Sequence, residues 1–220
     1  MPTRTITTSK TSFTRPGSVT YDLSAPDVVT ITLPAGSDWT SGLHWHETHT
    51  EFLQIIKGRA EVTFGGRTRN ITPGDGIIRV ERFAKHEWKR AKPRAREALE
   101  DRGDLRQAGD ADEELVVKEW TDAEDGMKEI FFRNLNSVIT EPMNEDLWLP
   151  DLWITLQLFM IFHGLDNYPV LLGGVAGHLM THVVLRAARI LGLILGLKPA
   201  YPEYTPKRLL DKYEESRKSL

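Results

Sequence analysis

The stretch "GLHWHETHTEFLQIIKG", residues 42–58, decides the reading of this chain. His44, His46 and His49 crowd together with Glu47 and Glu51, and an apolar run then closes on Gly58. Alternate residues of a strand share a face, so His44 and His46 point one way and Trp45 the other. The short "ETHT" reads as a turn. If the next strand pairs back, Glu51, Leu53 and Ile55 share a face. Two imidazoles and a carboxylate converging there suit a divalent first-row metal ion. A fourth ligand has to come from elsewhere. His86 in "RFAKHEWKR" (82–90) is well placed for it, at the end of another apolar segment. His49 and Glu47 fall in the turn and are expected to face solvent.

Working outward, residues 18–90 carry strand signals. "DVVTITLPAG" (27–36) alternates and then breaks at Pro34 and Gly36, and "EFLQIIKGRAEVTFGGRTRNITPGD" (51–75) gives short apolar runs punctuated by Gly58, Gly65-Gly66 and Pro73-Gly74. Short strands at this spacing predict a small sandwich or barrel, with Gly65-Gly66 as a hairpin turn. Residues 89–114 run from basic to acidic with few large apolar side chains, which predicts an exposed charged excursion, partly helical around 95–105. "LVVKEW" (115–120) returns to strand composition and could close a barrel. The organisation expected is therefore a flexible arm over 1–17, a barrel over 18–120 that contains the excursion 89–114, and a helical extension over 121–220.

A chain of 220 residues with 40% hydrophobic content can build a sizeable core. The formal charge of −3 gives no pull toward nucleic acid, and no basic recognition helix is evident, so no nucleic-acid partner is expected. With no cysteine, disulfides, thiolate catalysis and zinc–thiolate sites are excluded. The N-terminus has no apolar core and does not read as a secretory signal. A cytoplasmic protein, with membrane association left open by the tail, is the expectation.

Residues 44–58 read His-x-His, four residues to Glu51, then six to Gly58. Residues 65–86 read Gly, then Pro73-Gly74-Asp75, then His86, with Lys85 where a proline is common. This pattern resembles the two sequence motifs of the cupin superfamily over residues 30–90. The resemblance implies a mainly β protein, a double-stranded β-helix (jelly-roll) barrel, here followed by a C-terminal α-helical extension. It implies one divalent first-row ion (iron, manganese, nickel, copper or zinc) held by His44, His46, Glu51 and His86, with positions left for water, substrate or dioxygen. Glu51 is then a ligand that could also detach and shuttle a proton, which makes it the catalytic candidate. Trp88 shares the strand parity of His86, Phe83 precedes it, and Arg79 could hold a carboxylate or enolate. These three are the substrate-binding candidates, although Trp88 could equally be core. The function implied is a metal-dependent enzyme acting on a small oxygenated hydrophobic metabolite by isomerisation, dehydration or cyclisation. The alternatives are a metal- and dioxygen-dependent dioxygenase of the same fold and a non-catalytic small-molecule binding cupin.

The second half of the chain reads as helical. "AEDGMKEIFFRNLNSVI" (123–139) places Phe131, Leu135 and Val138 on one face, with Thr121 or Asp122 as the cap, and "DLWITLQLFMIFHGL" (151–165) follows. The segment 170–197 is nearly long enough to span a bilayer, but His178, His182, Arg186 and Arg189 form one polar stripe along it. A lone spanning helix with that stripe would be costly. Packing in a helical hairpin or a homodimer and peripheral membrane contact through 151–197 are the placements that suit it. Gly173, Gly177, Gly192 and Gly196 are spaced for close helix approach. The layout, with "FFRNLNSVI" and "FHGLDNYPV", also resembles accessory cupins of fungal polyketide and terpenoid gene clusters, which implies secondary-metabolite biosynthesis.

Overall fold

A computed structural model describes residues 4–91, 113–142 and 149–218. The strands, in chain order, are β1 (Ser12–Arg15), β2 (Val19–Asp22), β3 (Val28–Leu33), β4 (His44–Trp45), β5 (Thr50–Lys57) and β6 (Ala60–Phe64). They continue as β7 (Arg67–Ile71), β8 (Ile77–Val80), β9 (His86–Arg90), β10 (Leu115–Asp122) and β11 (Tyr168–Pro169). One sheet has the order β1-β2-β3-β10-β5-β8 and the other β11-β4-β9-β6-β7, and every pairing is antiparallel. Alternation of residue type sets which face goes inward. In β3 and β10, every second residue is buried, among them Val29, Ile31, Leu33, Leu115 and Val117.

Two glycine positions explain the turns. Gly65 and Gly66 both take positive φ and close the two-residue hairpin in which Phe64 pairs with Arg67. Gly58, at the end of the quoted stretch, also has positive φ, and a Cβ there would lie 2.6 Å from the carbonyl oxygen of Glu114. Only glycine lets the β5–β6 turn pass that close to the chain entering β10. The expected excursion 89–114 lies for the most part outside the described residues.

Four helices follow: α1 (Met127–Thr140), α2 (Pro150–Gly164), α3 (Val175–Ile194) and α4 (Lys207–Lys218). The first starts later than the sequence suggested. Its cap is Gly126, and the Asp125 carboxylate accepts the Met127 N–H at 2.9 Å. The apolar face of α1 completes the barrel core, with the Phe132 ring 5.0 Å from that of Tyr21. One continuous cluster joins barrel residues such as Ile31 and Leu53 to Ile130, Ile161, Tyr204 and Leu209 of the extension. Helix α3 packs on α2 where Gly192 meets Met160; a Cβ at that glycine would sit 2.4 Å from the thioether sulfur. Its start at Val175 is later than 170, because Tyr168 and Pro169 are drawn into the second sheet as β11 beside β4. The polar tail is docked through buried Leu209 and Tyr213.

The expectation of a flexible arm over 1–17 is corrected for the residues described. Ser12–Arg15 forms β1 with Phe13 buried, and the Thr7 N–H donates to the Glu203 carbonyl at 2.8 Å. The Arg4 guanidinium lies 3.5 Å from the centre of the Tyr201 ring and donates to Gln157 at 2.8 Å. Polar composition concealed this, because the arm is held by cation–π contact and hydrogen bonds rather than by an apolar face.

Candidate metal centre

Local pairing brings the four candidate ligands together. β4 and β9 run antiparallel with His44 directly opposite His86, and Glu51 lies near the start of β5 in the other sheet. His46 sits in the turn between β4 and β5. One ligand atom from each of His44, His46, Glu51 and His86 lies within 4.8 Å of all the others, and all four residues are buried. The ring centres of His44 and His86 are 4.2 Å apart, and those of His46 and His86 are 5.4 Å apart.

The hydrogen bonds behind these rings set their tautomers. Nδ1 of His44 faces the Gly42 carbonyl at 2.8 Å, Nδ1 of His86 faces the Ala84 carbonyl at 2.9 Å, and Nδ1 of His46 faces the Asp166 carbonyl. A carbonyl oxygen only accepts, so each Nδ1 donates and each neutral ring turns a bare Nε2 lone pair inward. Two of these point at a carboxylate: His46 Nε2 lies 3.0 Å from one Glu51 oxygen and His86 Nε2 lies 3.0 Å from the other. Acceptor facing acceptor at that distance is repulsive unless a proton or a metal cation is shared between them. A divalent first-row ion would satisfy all four donors at once, with the main-chain carbonyls orienting the rings. The residues present therefore fit such an ion.

In the ion-free chain the groups compensate one another. Burial and the neighbouring His86 and His46 hold His44 well below the ordinary histidine range. Burial also opposes charge on His86, but Glu51 beside it outweighs that and raises it. Burial would raise Glu51, yet Lys128 and His86 draw it well below the usual carboxylate range. Lys128, from the first turn of α1, is the residue that pattern reading missed. Its ammonium is buried between Glu51 and Glu119, 3.1 Å from the latter. Burial works against that ammonium, and the two carboxylates more than offset it. Glu119 is raised, first by its own burial and then by Glu51.

A further network holds the turn that carries His46. Asp166, in the loop between α2 and β11, accepts the backbone N–H groups of Glu47, Thr48 and His49 at 2.8, 3.0 and 3.1 Å. Its carboxylate also lies 2.7 Å from His49 Nδ1, and the other His49 nitrogen is 3.1 Å from Asp125. The solvent-facing expectation for His49 is thus corrected: it is buried between two carboxylates. Burial alone would lower it, but the hydrogen bonds to Asp125 and Asp166 raise it to about 9. Glu47 is half-buried, accepting the Trp45 indole N–H at 3.0 Å and pairing with His182 at 2.9 Å.

A cavity of about 300 Å³ adjoins the cluster. Its polar lining includes His44, His46, His49, Glu119 and Lys128, and its apolar lining includes Tyr21, Trp39, Leu43, Phe131, Phe132, Leu158 and Phe162. None of the three substrate-binding candidates borders it. Trp88 is core: fully buried, its ring tilted against that of Trp39 with centres 5.0 Å apart, and its indole N–H given to Glu119. Phe83 turns its ring to solvent while its N–H donates to the His46 carbonyl at 2.6 Å. Arg79 is exposed and pairs with Glu81 at 3.0 Å. Strand parity located their backbones but could not foresee that α1 and α2 supply the cavity wall.

A double-sheet antiparallel barrel with a buried His₃Glu cluster at its mouth defines the class. Residues 29–95 match the family model described as "Cupin domain", and this part of the chain is a cupin domain. No curated protein matches the chain. Among solved structures, KdgF from Halomonas sp. is similar at 19% identity over 49% of this chain and 82% of that one, with a TM-score of 0.32. The capsular polysaccharide assembling protein CapF from Staphylococcus aureus is similar at 15% identity over 50% of this chain, with a TM-score of 0.35, and the match spans only 29% of CapF. A cupin 2 domain-containing protein from Halorhodospira halophila is similar at 19% identity over 50% and 68% of the two chains, with a TM-score of 0.32.

Proposed function

We propose that the barrel is the catalytic unit of a metal-dependent enzyme acting on a small, oxygenated, largely apolar metabolite by isomerisation, dehydration or cyclisation. The observation that carries this reading is the set of three inward Nε2 lone pairs and Glu51 beside a cavity walled by aromatic and aliphatic side chains. A bound divalent ion would supply Lewis-acid polarisation of a substrate oxygen. The chain's own groups do the rest. Phe131, Phe132, Leu158 and Phe162 exclude water and take up the apolar part of the substrate. Lys128 presents a fixed positive charge where an enolate or alkoxide would develop. Glu119, held by Trp88 and Lys128, is the buried carboxyl at the cavity wall placed to give or accept a proton. The apolar lining is the feature that fits a metabolite of the secondary, polyketide- or terpenoid-like kind.

Elemental mass spectrometry on untagged protein, purified without chelator, tests this reading. About one equivalent of a first-row metal is expected, lost in His46→Ala and retained in Glu119→Gln. Folded protein that stays metal-free after incubation with iron, manganese, nickel and zinc would overturn it.

A further inference from the structure

Helix α3 presents two unlike faces. Gly177, Thr181, Leu185, Ala188 and Gly192 are buried against the body of the protein. The opposite face carries Leu179, Met180, Val183, Ile190, Leu191 and Ile194, from 43% exposed at Met180 to 76% at Ile194. Leu179, Val183, Ile190 and Ile194 recur at intervals of four, seven and four residues, so they form one strip about four turns long. A strip of large aliphatic side chains left in water marks a surface that is covered in use.

What covers it is indicated by charge. Arg186 and Arg189 border the strip, are exposed, and make no ion pair among the described residues. His182 on the same border is instead turned back to Glu47. The helix, VAGHLMTHVVLRAARILGLI, contains no aspartate or glutamate. A second copy docked on this face would bring like charges and no carboxylate from its own α3. An anionic phospholipid surface offers both an apolar layer for the strip and negative headgroups for its arginine border. Spanning is not the mode, since no helix among the described residues is long and apolar enough to cross a membrane.

We infer that α3 docks the protein flat on an anionic bilayer, with the Leu179–Ile194 strip sunk to headgroup depth and Arg186 and Arg189 at the phosphates. The inference stands apart from the metal centre, and its test needs no turnover.

The test is sedimentation of the full chain with phosphatidylcholine vesicles, prepared with and without phosphatidylserine. The expected result is co-sedimentation with the phosphatidylserine vesicles, released by salt. Arg186→Gln and Arg189→Gln should each weaken it roughly fivefold. The double variant Val183→Glu/Ile190→Glu should abolish it while keeping the wild-type circular dichroism and metal content, since both side chains are exposed. Failure to sediment with either vesicle overturns the inference. So does equal, salt-insensitive binding to both. A dimer in light scattering that the double variant splits, without vesicle binding, assigns the face to a second copy instead.

Discussion

The ligand-bearing segment 44–51 and the loop around Asp166 meet at one imidazole, yet they are opposite kinds of structure. In the first, the spacing of neighbouring residues does the placing: one strand, one turn and the next strand bring His44, His46 and Glu51 together. In the second, Asp166, 120 residues away, orients His46 through its main-chain carbonyl and gathers three N–H groups of the turn with its carboxylate. Convergence of the candidate ligands is thus a local property of the barrel, whereas the orientation of His46 is supplied by the extension. The two should fail differently when broken.

The largest effect is expected at Asp166. Asp166→Ala leaves three turn N–H groups and His49 without their acceptor, and should cost about 3–5 kcal/mol in denaturant unfolding. It should also weaken metal affinity roughly tenfold in a chelator competition, because the turn that carries His46 loses its anchor while the Asp166 main-chain carbonyl facing that ring remains. Full affinity in a folded variant would mean that the main-chain carbonyl and the barrel orient His46 without help from the carboxylate. Next is Lys128→Met, which strands Glu51 and Glu119 in the core and should cost about 3 kcal/mol in metal-free protein. Added metal should recover much of that loss, because an ion replaces the missing countercharge. Melts with and without metal decide it, and an equal loss in both would place Lys128 outside the site's charge balance.

A smaller, graded effect follows pH. His49 is raised from 6.5 to about 9, so its ion pairs stabilise the chelated protein fully below about 6.5 and fade as pH rises through about 9. Asp125 and Asp166 are lowered from 3.8 despite burial, by hydrogen bonds that begin with His49, so their share fades only as pH falls below that value. The melting temperature of His49→Gln should approach that of the wild type toward pH 10, with the largest gap between about 4 and 6.5. Smaller again is Gly192→Ala, whose methyl group must displace the flexible end of Met160, at about 1 kcal/mol and with metal content unchanged. Last, Arg79→Ala and Phe83→Ala should stay within about 0.5 kcal/mol and leave metal binding intact, since both side chains face solvent.

The pattern of legibility has the same cause. His44, His46, Glu51 and Gly58 were readable because strand alternation and turn chemistry act over a few residues. His86 was readable because it follows an apolar segment, and it begins the strand that pairs straight back to His44. Lys128 was not, since it looks like any first-turn lysine until α1 is laid across the barrel. His49 was misread for the same reason, because its burying partners Asp125 and Asp166 lie in the extension. Trp88, Phe83 and Arg79 show the limit of parity, which tells the face of a strand but not whether that face meets a cavity, a neighbour or water.

Tyr168 and Pro169 add only two residues to the second sheet, but they lie along β4, which would otherwise be its outer strand. An uncovered strand is a template on which another chain can continue the ladder, and here it would run beside His44. A chain shortened before residue 165 would therefore expose a pairing edge at its most chemically charged point. Such a fragment should self-associate through β4, occluding the candidate metal centre, even where its barrel still folds.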